Sequence, residues 1–308
     1  MIPFRIEWQT NYRRFSLELG KKTCIMGILN ITPDSFSDGG RYLQFDAAVE
    51  QGLKLTAEGA DILDIGGESS RPFSEPVSVQ EELDRVIPVI ERLAGRIDIP
   101  ISVDTVKAKV AKEAINAGAA IINDITALEK DELMASVVSE TGAPVILMHM
   151  KGTPATMQLN PQYDDFINEI RSYLGERAKF AVSAGIAPER IILDPGIGFG
   201  KTVEHNLMVI QHLYKIADLG FPLLLGPSRK SFVQKILVSS INSDTKSNFI
   251  DSAPNSTSKI SPLSPKTETG TMAAVAASIM NGAHIVRVHD VASARAVAKI
   301  INAIQNVK

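Results

Sequence analysis

Short apolar runs separated by longer amphipathic stretches set the pattern of this chain. Eight runs stand out: CIMGILNI (24–31), DILDIGG (61–67), PISVDT (100–105), AIINDI (120–125), PVILMHM (144–150), RIILDPG (190–196), PLLLGPS (222–228) and HIVRVHD (284–290). Each is rich in Ile, Leu and Val and too short for an independent helix. Apolar side chains on both faces suit buried parallel strands. Between the runs, AAVEQGLKLTAEGA (47–60), VQEELDRVIPVIERLAG (79–95) and VKAKVAKEAINAGA (106–119) carry helical periodicity. Gly59-Ala60, Gly118-Ala119, Gly142-Ala143 and Gly282-Ala283 stand just before runs. A glycine there suits the left-handed position that closes a helix.

Strands alternating with helices predict one α/β domain over residues 1–308 with a parallel sheet. Eight is the number that closes a (β/α)8 TIM barrel; a doubly wound open sheet is the alternative. The polar residues favour the barrel. Asn30, Glu68, Asp104, Asn123, His149, Asp194, Ser228, and Arg287 with His289 stand at the ends of the runs. In a barrel, such ends converge on one mouth. Residues 1–22 precede the first barrel strand, and RRFSLELGKK within them is expected to form a short hairpin over the barrel floor. Residues 239–268 are rich in Ser, Thr, Asn and Pro with few apolar anchors, which reads as a flexible surface insertion.

Composition narrows the field only a little. The net charge of −3 gives no case for nucleic acid. Cys24 is the only cysteine, so no internal disulfide forms, which fits a reducing compartment. The N-terminal MIPFRIEWQTNYRRF lacks a signal-peptide core, and no run is long enough to span a membrane. A cytoplasmic protein is expected.

The candidate chemistry sits on the loops after the strands. In MGILNITPDSFSDGG (26–40), Asn30 offers an amide oxygen to a hard cation such as Mg²⁺ or to an anionic group, and the following loop is suited to fold over a ligand. In DIGGESSRPFSEPV (64–77), Ser69 and Ser70 offer hydroxyls, and Arg71 a cation for a carboxylate or phosphate. Asp104, Asn123 and Asp194 can read a row of ring N–H donors and acceptors, with Lys230 as the natural counter-ion of Asp194. LDPGIGFGK (193–201) matches neither a P-loop nor GxGxxG, and its Phe199 and Lys201 are placed to wall a pocket. GPSRKSF (226–232) puts Lys230 at the mouth and Ser231 at a helix start. Arg287 and His289 in RVHD, two residues apart, share a strand face and suit a pyrophosphate clamp. Histidine spacing for catalytic zinc and a serine nucleophile elbow are both missing.

Taken together, MGILNITPDSFSDGG, GGESSRP, SVDT, INDI, MHMKGTP, LDPGIGFGK, GPSRKSF and RVHD resemble the dihydropteroate synthases, in order, from about residue 15 to residue 300. The second loop departs from the family pattern. Ser70 and Phe73 stand where threonine and glycine are usual, which bears on aminobenzoate affinity and sulfonamide susceptibility. The resemblance implies a Mg²⁺-dependent transferase, a sulfonamide target. It joins dihydropterin pyrophosphate to para-aminobenzoate in folate biosynthesis, and pyrophosphate leaves before the aniline nitrogen attacks. It implies that Asp104, Asn123, Met148, Asp194 and Lys230 hold the pterin. Asn30, Arg287 and His289 hold the pyrophosphate with Mg²⁺, which Asn30 ligates. Ser70, Arg71, Pro72, Phe199, Lys230 and Ser231 form the aminobenzoate site, which Asp38 helps to close. Asp38, Arg71, Lys230, Arg287 and His289 are the catalytic set.

The resemblance also implies a homodimer, to which MAAVAASIMNGA (272–283) offers a helix face, unless that helix packs only on the barrel. Three rivals share parts of this pattern: a non-catalytic pterin-binding paralogue, a corrinoid-linked methyltetrahydrofolate methyltransferase domain, and a phosphosugar lyase of the same fold. The first would have lost loop residues, the second would not need the pyrophosphate clamp, and the third would want a Schiff-base lysine.

Overall fold

The structure is a computed structural model that describes residues 7–32, 41–70, 74–154, 156–238 and 260–307. The chain begins with the expected hairpin, which starts earlier than RRFSLELGKK. Strands β1 (Trp8–Tyr12) and β2 (Phe15–Leu19) pair antiparallel. All eight apolar runs then form strands: β3 (Cys24–Asn30), β4 (Ile62–Gly66), β5 (Ile101–Asp104), β6 (Ile121–Asp124), β7 (Val145–Met148), β8 (Ile191–Asp194), β9 (Leu224–Leu225) and β10 (Ile285–Val288). They pair in parallel in chain order from β3 to β8, and β10 joins β3 on one side and β9 on the other. A single bridge between Leu193 of β8 and Leu223, next to β9, closes the ring. Closure decides between the two architectures: this is a TIM barrel, with the strands wrapped by helices.

Helices α1 (Arg41–Ala57), α2 (Val79–Ala94), α3 (Ala108–Ala117) and α4 (Met134–Thr141) follow β3 to β6 in turn. Gly142 closes α4 at φ 65°, and its amide reaches back to the carbonyl of Val138. A side chain there would be strained. Helix α5 (Phe166–Ser183) follows β7, α6 (Val203–Gln211) and α7 (Leu213–Ala217) follow β8, and α8 (Ser231–Val238) and α9 (Pro265–Met280) follow β9. Helix α10 (Val291–Gln305) ends the barrel, capped by Asp290, which accepts from the Ser293 amide. Among the described residues, no helix is long and apolar enough to cross a membrane.

One sequence boundary moves. Pro265–Glu268, assigned to the insertion, is the first turn of α9. Ser264 accepts from the Thr267 amide and Pro265 opens the helix, a start signal that the polar composition hid. Residues 239–259 of that segment lie outside the described residues.

Side-chain alternation sorts each strand into two apolar layers. Outward residues such as Ile25, Leu63, Val103, Ile122, Leu147, Leu193 and Val286 pack against the helices. Inward residues Met26, Ile62, Ile121, Ile146, Ile192, Leu224 and Ile285 form a separate cluster in the lower barrel, closed from below by Leu17 and Leu19 of the hairpin. Arg13 and Arg14 pin that hairpin by donating to the carbonyls of Ile115, Ala94 and Ile97.

Candidate active site

Two residues further along each strand, the inward positions change character. Above Ile62, Ile121, Ile192 and Ile285 stand Asp64, Asn123, Asp194 and Arg287, and above Ile146 stands Met148. The barrel therefore has an apolar floor and a charged upper layer, which faces the mouth formed by the strand C-termini.

Arg287 organises one side of this layer. Its Nε donates to Asp64 Oδ2 at 2.6 Å, and its Nη2 donates to Asp104 Oδ2 at 2.8 Å. Asn123 Nδ2 donates to the same Asp64 oxygen at 3.2 Å. Asp64 is fully buried, and its Oδ1 has no hydrogen-bond partner. Burial pushes the Asp104 carboxyl above the usual carboxylate range; Arg287 opposes this, while Asp64, Glu82 and Asp124 add to it. Asn30 shares this level. Parallel registers place it beside Gly66, Gly66 beside Asp104, and Asp104 beside Asn123. Arg287 is thus drawn inward to the acids expected to read the pterin.

Asp194 faces them from β8. Its Oδ1 accepts from the Gly196 amide at 2.7 Å. Burial lifts its carboxyl to about 6, with the Gly196 amide, Lys201, Lys230 and Arg287 pulling the other way in that order. Lys201 thus acts on Asp194 alongside the expected counter-ion Lys230. Lys201, only 3% exposed, places Nζ 2.9 Å from His149 Nδ1 and 3.0 Å from the Phe199 carbonyl. Burial lowers this ammonium to about 7. Burial, then Lys201, lowers His149 to about 2, so its imidazole is neutral. Lys230 Nζ lies 4.0 Å from the centre of the Phe199 ring. Gly198, at φ 83°, makes room for this lysine: a Cβ there would lie 2.8 Å from Lys230 Cδ. Met148, Met157 and Phe199 form a small apolar cluster with Ile125 and Met150 at the mouth.

His289, just past β10, meets Ser228. Its Nδ1 lies 2.9 Å from Ser228 Oγ, and that oxygen accepts from the His289 amide at 3.2 Å. Ser231 opens α8 and is exposed. Ser69 and Ser70 line a cavity of about 250 Å³ together with Glu68, Glu82, Asp104 and Ile125. Asp38, Arg71, Pro72 and Phe73 lie outside the described residues.

Among the described residues, no group of three or more His, Cys, Asp or Glu side chains could hold a metal ion. Asn30 presents its Oδ1 at the mouth, 3.7 Å from where a Gly66 Cβ would stand. One neutral oxygen fits Mg²⁺, which keeps several waters and takes few protein ligands beside substrate phosphates.

The chain matches the pterin binding enzyme family over residues 26–289, a span that contains every candidate site residue from Asn30 to His289. It is 44% identical over 285 residues to the dihydropteroate synthase of Synechocystis, covering 92% of this chain and 91% of that protein. The chain belongs to the dihydropteroate synthase family of pterin-binding enzymes. Its fold is similar to that of Xanthomonas albilineans dihydropteroate synthase with 4-aminobenzoic acid. That comparison has a TM-score of 0.86 at 39% identity and covers 98% of this chain and 100% of that one. A Yersinia pestis dihydropteroate synthase in complex with a sulfonamide drug gives a TM-score of 0.84 at 40% identity, covering 97% and 100%.

Three features of this synthase-family site escape a reading of the sequence. Asp64 sits within the run DILDIGG, where an acid in an apolar strand at the inward phase was the available signal. The Lys201–His149 contact joins two loops 52 residues apart and leaves no local trace. Lys107, between Glu68 and Glu82, reads in sequence as an ordinary charged residue at a helix start.

Proposed function

We propose that this chain is a dihydropteroate synthase. It condenses 6-hydroxymethyl-7,8-dihydropterin pyrophosphate with para-aminobenzoate, giving 7,8-dihydropteroate and pyrophosphate. One observation carries the reading: Asp64, Asp104, Asn123, Asp194 and Arg287 face one another above a sealed apolar floor, beneath the cover of Met148 and Phe199. A pterin is a flat bicycle with a donor-rich amino-pyrimidine edge. Carboxylates at fixed depth accept those donors, the Asn123 amide serves a mixed donor–acceptor position, and Met148 packs on the ring.

Asn30, Arg287 and His289 hold the pyrophosphate. Asn30 would hold Mg²⁺, which would supply Lewis-acid neutralisation of the leaving-group charge. The C–O bond to pyrophosphate breaks with its electron pair on the leaving oxygen. Asp104 and Asp194 stabilise the positive charge left on the pterin methylene. The neutral aniline nitrogen attacks that carbon and then loses a proton, so no strong base is required. Ser70, Arg71, Pro72, Phe199, Lys230 and Ser231 seat the aminobenzoate, and Asp38 helps the first loop exclude water. Sulfonamides compete at this second seat.

The enzyme is placed in the cytoplasm, in keeping with its lone, buried Cys24. It acts as a homodimer. Val275 and Ile279 of α9 are spent on the barrel core, whereas Ile300 and Ile304 of α10 are 63% and 51% exposed and stand one turn apart. The outer face of α10 is the better candidate for the contact.

The test is pyrophosphate release from dihydropterin pyrophosphate, with and without para-aminobenzoate and Mg²⁺, beside Asp194→Ala. Release that needs Mg²⁺, yields dihydropteroate and collapses in the variant supports the assignment. Tight pterin binding without turnover replaces it with a non-catalytic pterin-binding role.

A further inference from the structure

Beside the pterin acids lies a second charged cluster that the chemistry above does not use. Lys107 Nζ is ion-paired to both Glu68 and Glu82, with Lys107 and Glu68 mostly buried and Glu82 completely so. Glu82 Oε1 has no hydrogen-bond partner. Burying one ammonium between two carboxylates is a poor way to add stability, because desolvation offsets most of the attraction. Its three members, however, come from three separate segments. Glu68 follows β4 and stands two residues before Ser70. Glu82 lies in the first turn of α2. Lys107 stands three residues after Asp104, at the start of α3.

We propose that Lys107 is a positioning residue that sets the distance between the two substrate seats, by tying the Ser69-Ser70 segment to the β5 connection that carries Asp104. This rests on the assignment of Ser70 to the aminobenzoate and Asp104 to the pterin.

The surroundings leave the loop few other places to go. Arg85 of α2 donates to the Gly67 carbonyl at 2.7 Å. A Cβ on Gly67 would lie 2.7 Å from Val86 Cγ1 and 3.1 Å from Glu82 Cγ, so the exit from β4 lies directly on α2. Ser74 donates to the Ser69 carbonyl from the far side of the loop. These contacts fix the loop against α2 and against itself. Among the described residues, the Lys107–Glu68 pair reaches from the loop to the β5–α3 side. Glu68, Ser69, Ser70, Asp104, Thr105 and Val106 all line the same cavity, so a shift of Glu68 changes the gap across which the two substrates meet. Misplacing one reactant by about 1 Å costs on the order of a hundredfold in rate.

The test is steady-state kinetics of Glu68→Gln, varying each substrate separately, with melting temperature measured in parallel. This variant keeps the Lys107–Glu82 pair inside the helical framework and removes the charge from the tie to the loop. The expected result is a rise of about tenfold or more in KM for para-aminobenzoate. KM for dihydropterin pyrophosphate should stay within about twofold, and the melting temperature should be little changed. Lys107→Met should give the same split with a lower melting temperature, and Lys107→Arg should restore part of the aminobenzoate KM. Unchanged KM values in Glu68→Gln, or equal rises for both substrates, overturn the proposal. Wild-type protein without turnover would instead defeat the synthase assignment, so the two failures are distinct.

Discussion

Arg287 on the last strand of the barrel donates to Asp64 on the second, 223 residues away in sequence, at 2.6 Å. The pair reaches across β3, which lies between β10 and β4 in the sheet. Removing one member leaves the other charged, buried and poorly matched. Asp64→Ala should therefore lower the unfolding free energy by about 3–5 kcal/mol, and the isosteric Asp64→Asn by less. Urea denaturation checks this, and equal stability of Asp64→Ala and wild type would show that Arg287 is satisfied without Asp64.

The Asp194 carboxyl, lifted by burial to about 6, makes pterin affinity depend on pH. A carboxyl raised in the folded state adds stability below its unfolded value, and that contribution fades as pH rises through about 6. Binding runs the other way, because the donor-rich pterin edge needs the ionised acid. Pterin affinity should fall by about tenfold per pH unit below that point, and Asp194→Asn should flatten the profile. Calorimetric titration from about pH 5 to about pH 8 reads the inflection.

Lys201 precedes Lys230 among the cations that hold Asp194 down. Lys201→Met should move the same inflection to higher pH by more than Lys230→Met does. It should also weaken aminobenzoate binding, since Lys201 donates to the Phe199 carbonyl. The reverse ordering of the two variants would return Lys230 to the role of principal counter-ion.

Ser70 lacks the methyl group that threonine would bring to the cavity wall. Ser70→Thr should change sulfonamide inhibition by up to about tenfold, the scale of one methyl group in an apolar contact. Inhibition constants against varied para-aminobenzoate measure the change.

If α10 forms the proposed dimer contact, Ile304→Glu should yield monomer, because it puts a charge on the exposed apolar face of that helix. Sedimentation velocity distinguishes a monomer from a dimer that uses another surface.

The strands were legible because parallel strands buried on both faces are apolar over most of their length. The helix stops were legible through their glycines. Asp104, Asn123 and Asp194 could be assigned to the mouth because they end such runs. Partner choice was not legible. Arg287 meets Asp64 because β10 and β4 flank β3 in the sheet, and His289 meets Ser228, 61 residues away. Lys201 and Lys230 lie on adjoining loops, and only packing density separates the buried one from the one over Phe199. The start of α9 was obscured by the polar composition of its first turn.

The hairpin beneath the barrel makes the interior a cul-de-sac. With Leu17 and Leu19 packed under the lower layer, ligands enter and leave by the same opening. Asp194, expected to hold the pterin, is buried in that shaft, whereas Ser70 and Ser231, expected to seat the aminobenzoate, are partly or fully exposed. The deeper guest must arrive first, and a rim ligand bound too early would block its path. Such a shaft predicts a queue, pterin before aminobenzoate, with excess aminobenzoate slowing the entry of the next pterin.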